Sequence, residues 1–149
     1  MGLQMLNYDF DKNVSYWVGL TAHLFEQALN NELAGTGVTL RQVQVLACLA
    51  LYEKLAQNEL ANLLRIEPST LVRILDRMER NGWIKRCASP EDRRKKIIRP
   101  TKQVTTKWAE IVEHGERMER RATAGLTQSQ LKTLKGILAA IRKNLEAEL

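Results

Sequence analysis

The chain has 149 residues, 44% hydrophobic and 27% charged, the mix of a water-soluble fold rather than a low-complexity or membrane protein. No run of about eighteen apolar residues is present, which excludes a spanning helix. Met1 to Phe10 lacks the basic-then-apolar order of a secretory leader, so a cytoplasmic chain is expected. The net charge of +6 is uneven: Arg65 to Lys102 holds twelve basic and five acidic residues, the remainder eleven and twelve. Such segregation is the footprint of a polyanionic partner.

The elements follow in chain order. Val14, Trp17, Thr21, Leu24, Ala28 and Leu29 recur three or four apart, predicting an amphipathic helix from Asp11 to Leu33 that Gly35 and Gly37 stop. Trp17 lies on its apolar stripe and reads as core. Thr39 and Gln42 have capping-box spacing, in which each side chain satisfies a backbone N–H of the first turn. They open a second helix through Val43, Leu46, Leu49 and Ala50. A short helix, Asn58 to Leu64, is followed by a tight connection at Arg65, Ile66 and Glu67. The next helix starts at Pro68, whose fixed φ suits the first helical position, and stops at Asn81-Gly82. Trp83 to Ala88 alternates as a strand, Ser89-Pro90-Glu91-Asp92 is a turn, and Arg93 to Arg99 returns as a strand ended by Pro100. A mainly α fold with one two-stranded hairpin results. The fifth helix runs from Thr101 to Ala124. The sixth begins at Thr127, and its Leu131, Leu134, Leu138, Ile141 and Leu145 form a packing seam read as a subunit interface.

The segment from Leu55 to Thr101 carries the chemistry: short helix, turn, longer helix, basic hairpin. A helix-turn-helix seats its second helix in the DNA major groove, so that helix needs one apolar face for docking and one donor face for DNA. Leu71, Leu75 and Met78 supply the first; Ser69, Arg73, Asp76, Arg77 and Arg80 supply the second. Ser69, Thr70 and Arg73 lie at the helix start, the part that reaches base edges, and an arginine fork suits guanine. Arg77 and Arg80 suit phosphates, and Asp76 is expected to pair with Arg73 or Arg80. Arg93, Arg94, Lys95 and Lys96 concentrate charge at the hairpin tip, which fits a minor groove. Arg86, in the first strand, joins the set of expected DNA contacts, and Asp92 reads as a salt bridge to Arg94 that fixes the tip.

Ile66-Glu67-Pro68-Ser69-Thr70-Leu71-Val72-Arg73, Asn81-Gly82-Trp83-Ile84 and Asp92-Arg93-Arg94-Lys95 together resemble the MarR family of winged helix-turn-helix regulators, and most closely its SlyA-type branch. The resemblance implies a homodimer built by N- and C-terminal helices. Residues 1–37 and 102–149 would form the dimerisation lobe and residues 38–101 the DNA-binding lobe. Two recognition helices would then read a pseudo-palindromic site. It further implies release by a small aromatic ligand, for which Trp17 and Val43 are the candidate contacts. The sequence departs from the pattern here: the first helix lacks arginine, Val43 replaces an aromatic residue, and Pro100 replaces a leucine.

The rival readings are weaker. His23 and His114 lie far apart, Glu110, Glu113, Glu116 and Glu119 alternate with basic residues as on a solvated face, and no phosphate loop or nucleophile motif is present. An enzyme is therefore not expected, nor a cofactor or metal. Cys48 and Cys87 lack metal-ligand spacing and read as reduced thiols, with a redox role for Cys87 beside Lys85 and Arg86 as the alternative. The remaining alternatives are a weakly specific architectural DNA binder and a helical adaptor for an acidic protein.

Overall fold

In the computed structural model, residues 8–148 are described. Most of the expected leader-free stretch Met1 to Phe10, and the outermost residues of the expected dimerisation lobe, lie outside them. After a single 3-10 turn at Phe10–Lys12 come α1 (Val14–Leu33), α2 (Leu40–Tyr52), β1 (Leu55–Ala56), α3 (Gln57–Leu64), α4 (Pro68–Arg80), β2 (Ile84–Ala88), β3 (Lys96–Pro100), α5 (Val104–Ala122) and α6 (Gln128–Glu146). The chain divides into two units at Met118.

The core lies in the first unit. Val45 and Leu49 of α2, Leu60 of α3, Leu71, Leu75 and Met78 of α4, Ile84 of β2 and Ile98 of β3 are each at most 1% exposed. Their helical members recur three or four apart, so each helix turns one stripe inward and leaves the opposite face polar. At Thr39 both halves of the capping box form: Gln42 N–H donates to Thr39 Oγ1 and Thr39 N–H donates to Gln42 Oε1. An analogous reach-back opens α3, where Ala56 N–H donates to Glu59 Oε2. Arg65 then takes a left-handed φ of 50° and turns the chain from α3 toward α4.

The sheet has three strands, not the expected two. Its order is β1-β3-β2, antiparallel throughout, with Leu55 opposite Ile98 and Arg86 also opposite Ile98 on the other side. Two residues are too short to display an alternating pattern, so β1 left no periodic signal. The returning strand begins at Lys96 instead of Arg93, because the tip closes on itself: Ser89 N–H donates to the Lys95 carbonyl and Lys95 N–H to the Asp92 carbonyl. Gly82, at φ 73°, makes the turn out of α4. Thr101 stays with the sheet, its N–H donating to the Trp83 carbonyl, and α5 therefore starts at Val104 rather than Thr101.

α1 buries little. Val14, Trp17 and Leu24 are 61%, 50% and 54% exposed, so Trp17 is not core within this chain. Only Leu33 of α1 is fully buried. In the second unit α6, capped by Thr127 and Gln130, buries no residue, and Leu134, Ile137, Leu138 and Leu145 are exposed. Among the described residues no helix is long and apolar enough to cross a membrane.

Candidate nucleic-acid interface

α4 is amphipathic because its sequence alternates apolar residues and cations at helical spacing. With Leu71, Leu75 and Met78 buried, the exposed face carries Ser69, Thr70, Arg73, Arg77 and Arg80. Among the described residues none of these arginines is in an ion pair, so their charge is available to an outside partner. Thr70, Arg73 and Arg77 share a cleft with Thr39 and Gln42 at the start of α2.

Arg86 behaves differently. Its Nη2 lies 2.6 Å from both Asp76 Oδ1 and Glu79 Oε2, and its Nε donates to Glu79 Oε2 at 2.9 Å. Its backbone N–H donates to Glu79 Oε1 as well. The side chain is only 23% exposed. Hydrogen bonds from the Arg86 side chain, then from its backbone, hold the Glu79 carboxyl below the usual carboxylate range. Its side-chain hydrogen bonds, to Glu79 first and then to Asp76, push the Arg86 guanidinium further up. Asp76 thus pairs across to β2 rather than along α4 with Arg73 or Arg80. Asp76 and Glu79 stand one turn apart on the same side of the helix, and one partly buried guanidinium satisfies both. Arg86, expected as a DNA contact, has its donors directed into the protein and ties the root of the hairpin to α4.

The hairpin tip presents Arg93, Arg94, Lys95 and Lys96 to solvent, and among the described residues none of the four is in an ion pair. Asp92 does not bridge to the Arg94 side chain. Its Oδ1 accepts the Arg94 backbone N–H at 3.0 Å, the local turn that a short carboxylate makes two residues on. The tip is shaped by backbone bonds and keeps its cationic side chains free.

The remaining site candidates stand apart from this face. Trp17 donates its indole N–H to the Asp11 carbonyl. Val43 is half-buried against the core. Neither lines the apolar cleft of about 200 Å³ formed by Leu46, Leu49, Ala50, Pro100, Thr101, Val104, Thr105 and Trp108. Cys87 is exposed, and burial pushes the half-buried Cys48 thiol up. Among the described residues no cluster of three or more His, Cys, Asp or Glu could hold a metal ion.

Residues 38–96 match the model of the MarR family. The uncharacterized HTH-type transcriptional regulator YwoH of Bacillus subtilis is 31% identical over 101 residues, covering 68% of this chain and 73% of its own. The chain belongs to the MarR family. The multiple antibiotic resistance protein MarR of Salmonella typhimurium is 29% identical over 78% of this chain and 81% of its own. Among solved structures, a mutant of Escherichia coli MarR complexed with operator DNA has a TM-score of 0.76 at 22% identity, covering 91% of this chain and 99% of that one. MarR-family membership makes this chain a transcription regulator rather than an enzyme, and the structural likeness establishes a winged helix-turn-helix. Within that MarR-type fold, α3 and α4 are the helix-turn-helix and the β2–β3 connection is the wing. The matched span includes Thr39 and Gln42, which sequence reasoning treated only as a helix cap. Their place beside Arg73 and Arg77 left no signal in the sequence beyond polarity at the start of a helix, and the capping role already accounted for it.

Proposed function

We propose that this protein is a sequence-specific regulator that binds double-stranded DNA as a homodimer, α4 in the major groove and the wing in the minor groove. The observation that carries this reading is that two cationic surfaces, the outer face of α4 and the β2–β3 tip, leave their charges unpaired among the described residues while the intervening Arg86 is consumed internally. Ser69, Thr70 and Arg73 would face bases; Arg77, Lys95 and Lys96 would hold phosphates; Arg93 and Arg94 would enter the minor groove. Arg86 would position the wing. Residues 38–101 would then be the DNA-binding lobe, with residues 1–37 and 102–149 forming the dimerisation lobe. The exposed Val14, Trp17 and Leu24 of α1, and Leu134, Leu138 and Leu145 of α6, support a second copy as their cover.

A two-fold dimer places its recognition helices about 34–36 Å apart, so its site is pseudo-palindromic. The Asn81-Gly82 stop and the Asp92-Arg93-Arg94 wing favour a SlyA-like branch. A regulator of this kind works in the cytoplasm beside the chromosome. Release by a small aromatic ligand, with Trp17 and Val43 as contacts, belongs to the same proposal, and the apolar cleft under Trp108 is a further place for such a ligand. Selection from a random duplex pool tests the reading. Enrichment of a site with inverted half-sites is expected. Binding without any sequence preference would indicate an architectural role, and no duplex binding would refute the proposal.

A further inference from the structure

We propose that the cleft between the start of α2 and the outer face of α4 is a seat for one phosphate group of the DNA backbone, with Gln42 as its buried donor. This rests on the DNA-binding reading and extends the interface to an element outside the helix-turn-helix. The cleft is lined by Thr39, Gln42, Thr70, Arg73, Ile74 and Arg77 and has a volume of about 140 Å³. That is well above the roughly 10–15 Å³ that admits a water and suits one tetrahedral anion.

Gln42 supplies the independent sign of a ligand. It is 2% exposed. Its Oε1 is committed to the Thr39 N–H at 3.0 Å, and that bond fixes which end of the amide is oxygen and which is nitrogen. Its Nε2 then has no hydrogen-bond partner among the described residues. Buried donors are almost always satisfied, so an orphan beside two arginines marks a place where an acceptor belongs. The acceptor chemistry is anionic. Arg77 brings a charge with no ion-pair partner among the described residues, Thr39 adds a hydroxyl, and the positive end of α2 borders the space, while Thr70 and Arg73 line the side of the cleft that leads on to the bases. Because Nε2 is closed to solvent, an oxygen reaches it only with a small shift of the flexible side chains that line the cleft.

The test uses Gln42→Glu in the full-length protein. Glutamate keeps the capping acceptor for Thr39 and exchanges the amide nitrogen for an oxygen. Binding is read by fluorescence polarisation on a labelled random-sequence duplex across a salt series, beside thermal unfolding in inorganic phosphate against chloride of equal ionic strength. The variant is expected to lose about tenfold in affinity and about one unit of log–log salt slope. The losses of Gln42→Glu and Arg77→Gln should overlap, since both variants disturb one phosphate.

If wild type binds duplex and Gln42→Glu changes neither affinity nor slope, the seat is refuted while the DNA reading stands. If wild type binds no duplex, the DNA reading fails and inorganic phosphate alone decides the seat. A rise in Tm over chloride that Gln42→Glu abolishes sustains it; no rise, or a rise that Gln42→Glu leaves intact, refutes it. Should Gln42→Glu fail to fold, Arg77→Gln, altered only on the exposed face, carries the same phosphate comparison with the same two outcomes.

Discussion

Replacing Arg86 with alanine should loosen the wing without removing a DNA contact. The substitution deletes the Nη2 contacts to Asp76 and Glu79, both 2.6 Å, and the Nε bond to Glu79 at 2.9 Å. It leaves two carboxylates one helical turn apart with their shared cation gone. Hydrogen bonds to charged groups contribute about 1.5–3 kcal/mol each when sheltered. Here Asp76 and Glu79 are 46% and 36% exposed, which pulls each pair toward the roughly 0.2–1 kcal/mol of surface ion pairs. The expected cost is about 1–2 kcal/mol in all, or about 3–6 °C in Tm for a chain of this length.

That loss has a defined pH window. The Glu79 carboxyl is held below its ordinary value, chiefly by the Arg86 side chain. A lowered folded value stabilises the fold above the unfolded value, and the contribution disappears as pH falls through the folded one. The gap between wild type and Arg86→Ala should therefore be full at pH 7. It should begin to close below about pH 4.5. Thermal unfolding followed by circular dichroism across pH 3–7 reads both quantities. DNA affinity should fall while the salt slope stays unchanged, because a positioning residue releases no counterion. An unchanged Tm together with a slope reduced by about one would refute the reasoning and return Arg86 to the phosphate contacts.

Arg73→Ala should flatten the base preference found in a random-pool selection by about 1–3 kcal/mol at one position per half-site, more than it lowers affinity for random duplex. Arg93→Ala with Arg94→Ala should reduce the log–log salt slope by up to about two units, read by polarisation titration. Leu75→Ala, at a fully buried site facing the core, should cost about 2–5 kcal/mol in urea unfolding with little change in the exposed face of α4. Leu138→Asp on α6, exposed in the single chain, should shift a dimer toward monomer in light scattering while leaving the monomer folded.

The helices of this protein were legible because their apolar residues repeat at helical spacing over many turns. The stripe Leu71, Leu75, Met78 located both the buried side of α4 and, by exclusion, the donor face that Arg73 and Arg77 occupy. What escaped was set by contacts between segments distant in sequence or too short to show a period. β1 has only Leu55 and Ala56 and exists because β3 offers it an edge. Asp76 had arginines three positions before and four after it, so a local pair was the natural expectation. The partner it found, Arg86, arrives from the next strand and is held by Glu79 as well. Asp92 was read for its charge, and its contact is to a backbone N–H. The apolar stripe of α1 correctly marked an amphipathic helix, but periodicity does not say whether the cover comes from the same chain. Trp17 is half exposed here.

Amide hydrogen exchange of the protein alone and bound to its selected duplex tests most directly whether α4 and the wing bind DNA as one surface. Expected is joint protection of residues 69–73 and 92–96, with residues 128–146 unchanged. Protection confined to one of the two, or appearing instead on α6, would contradict it.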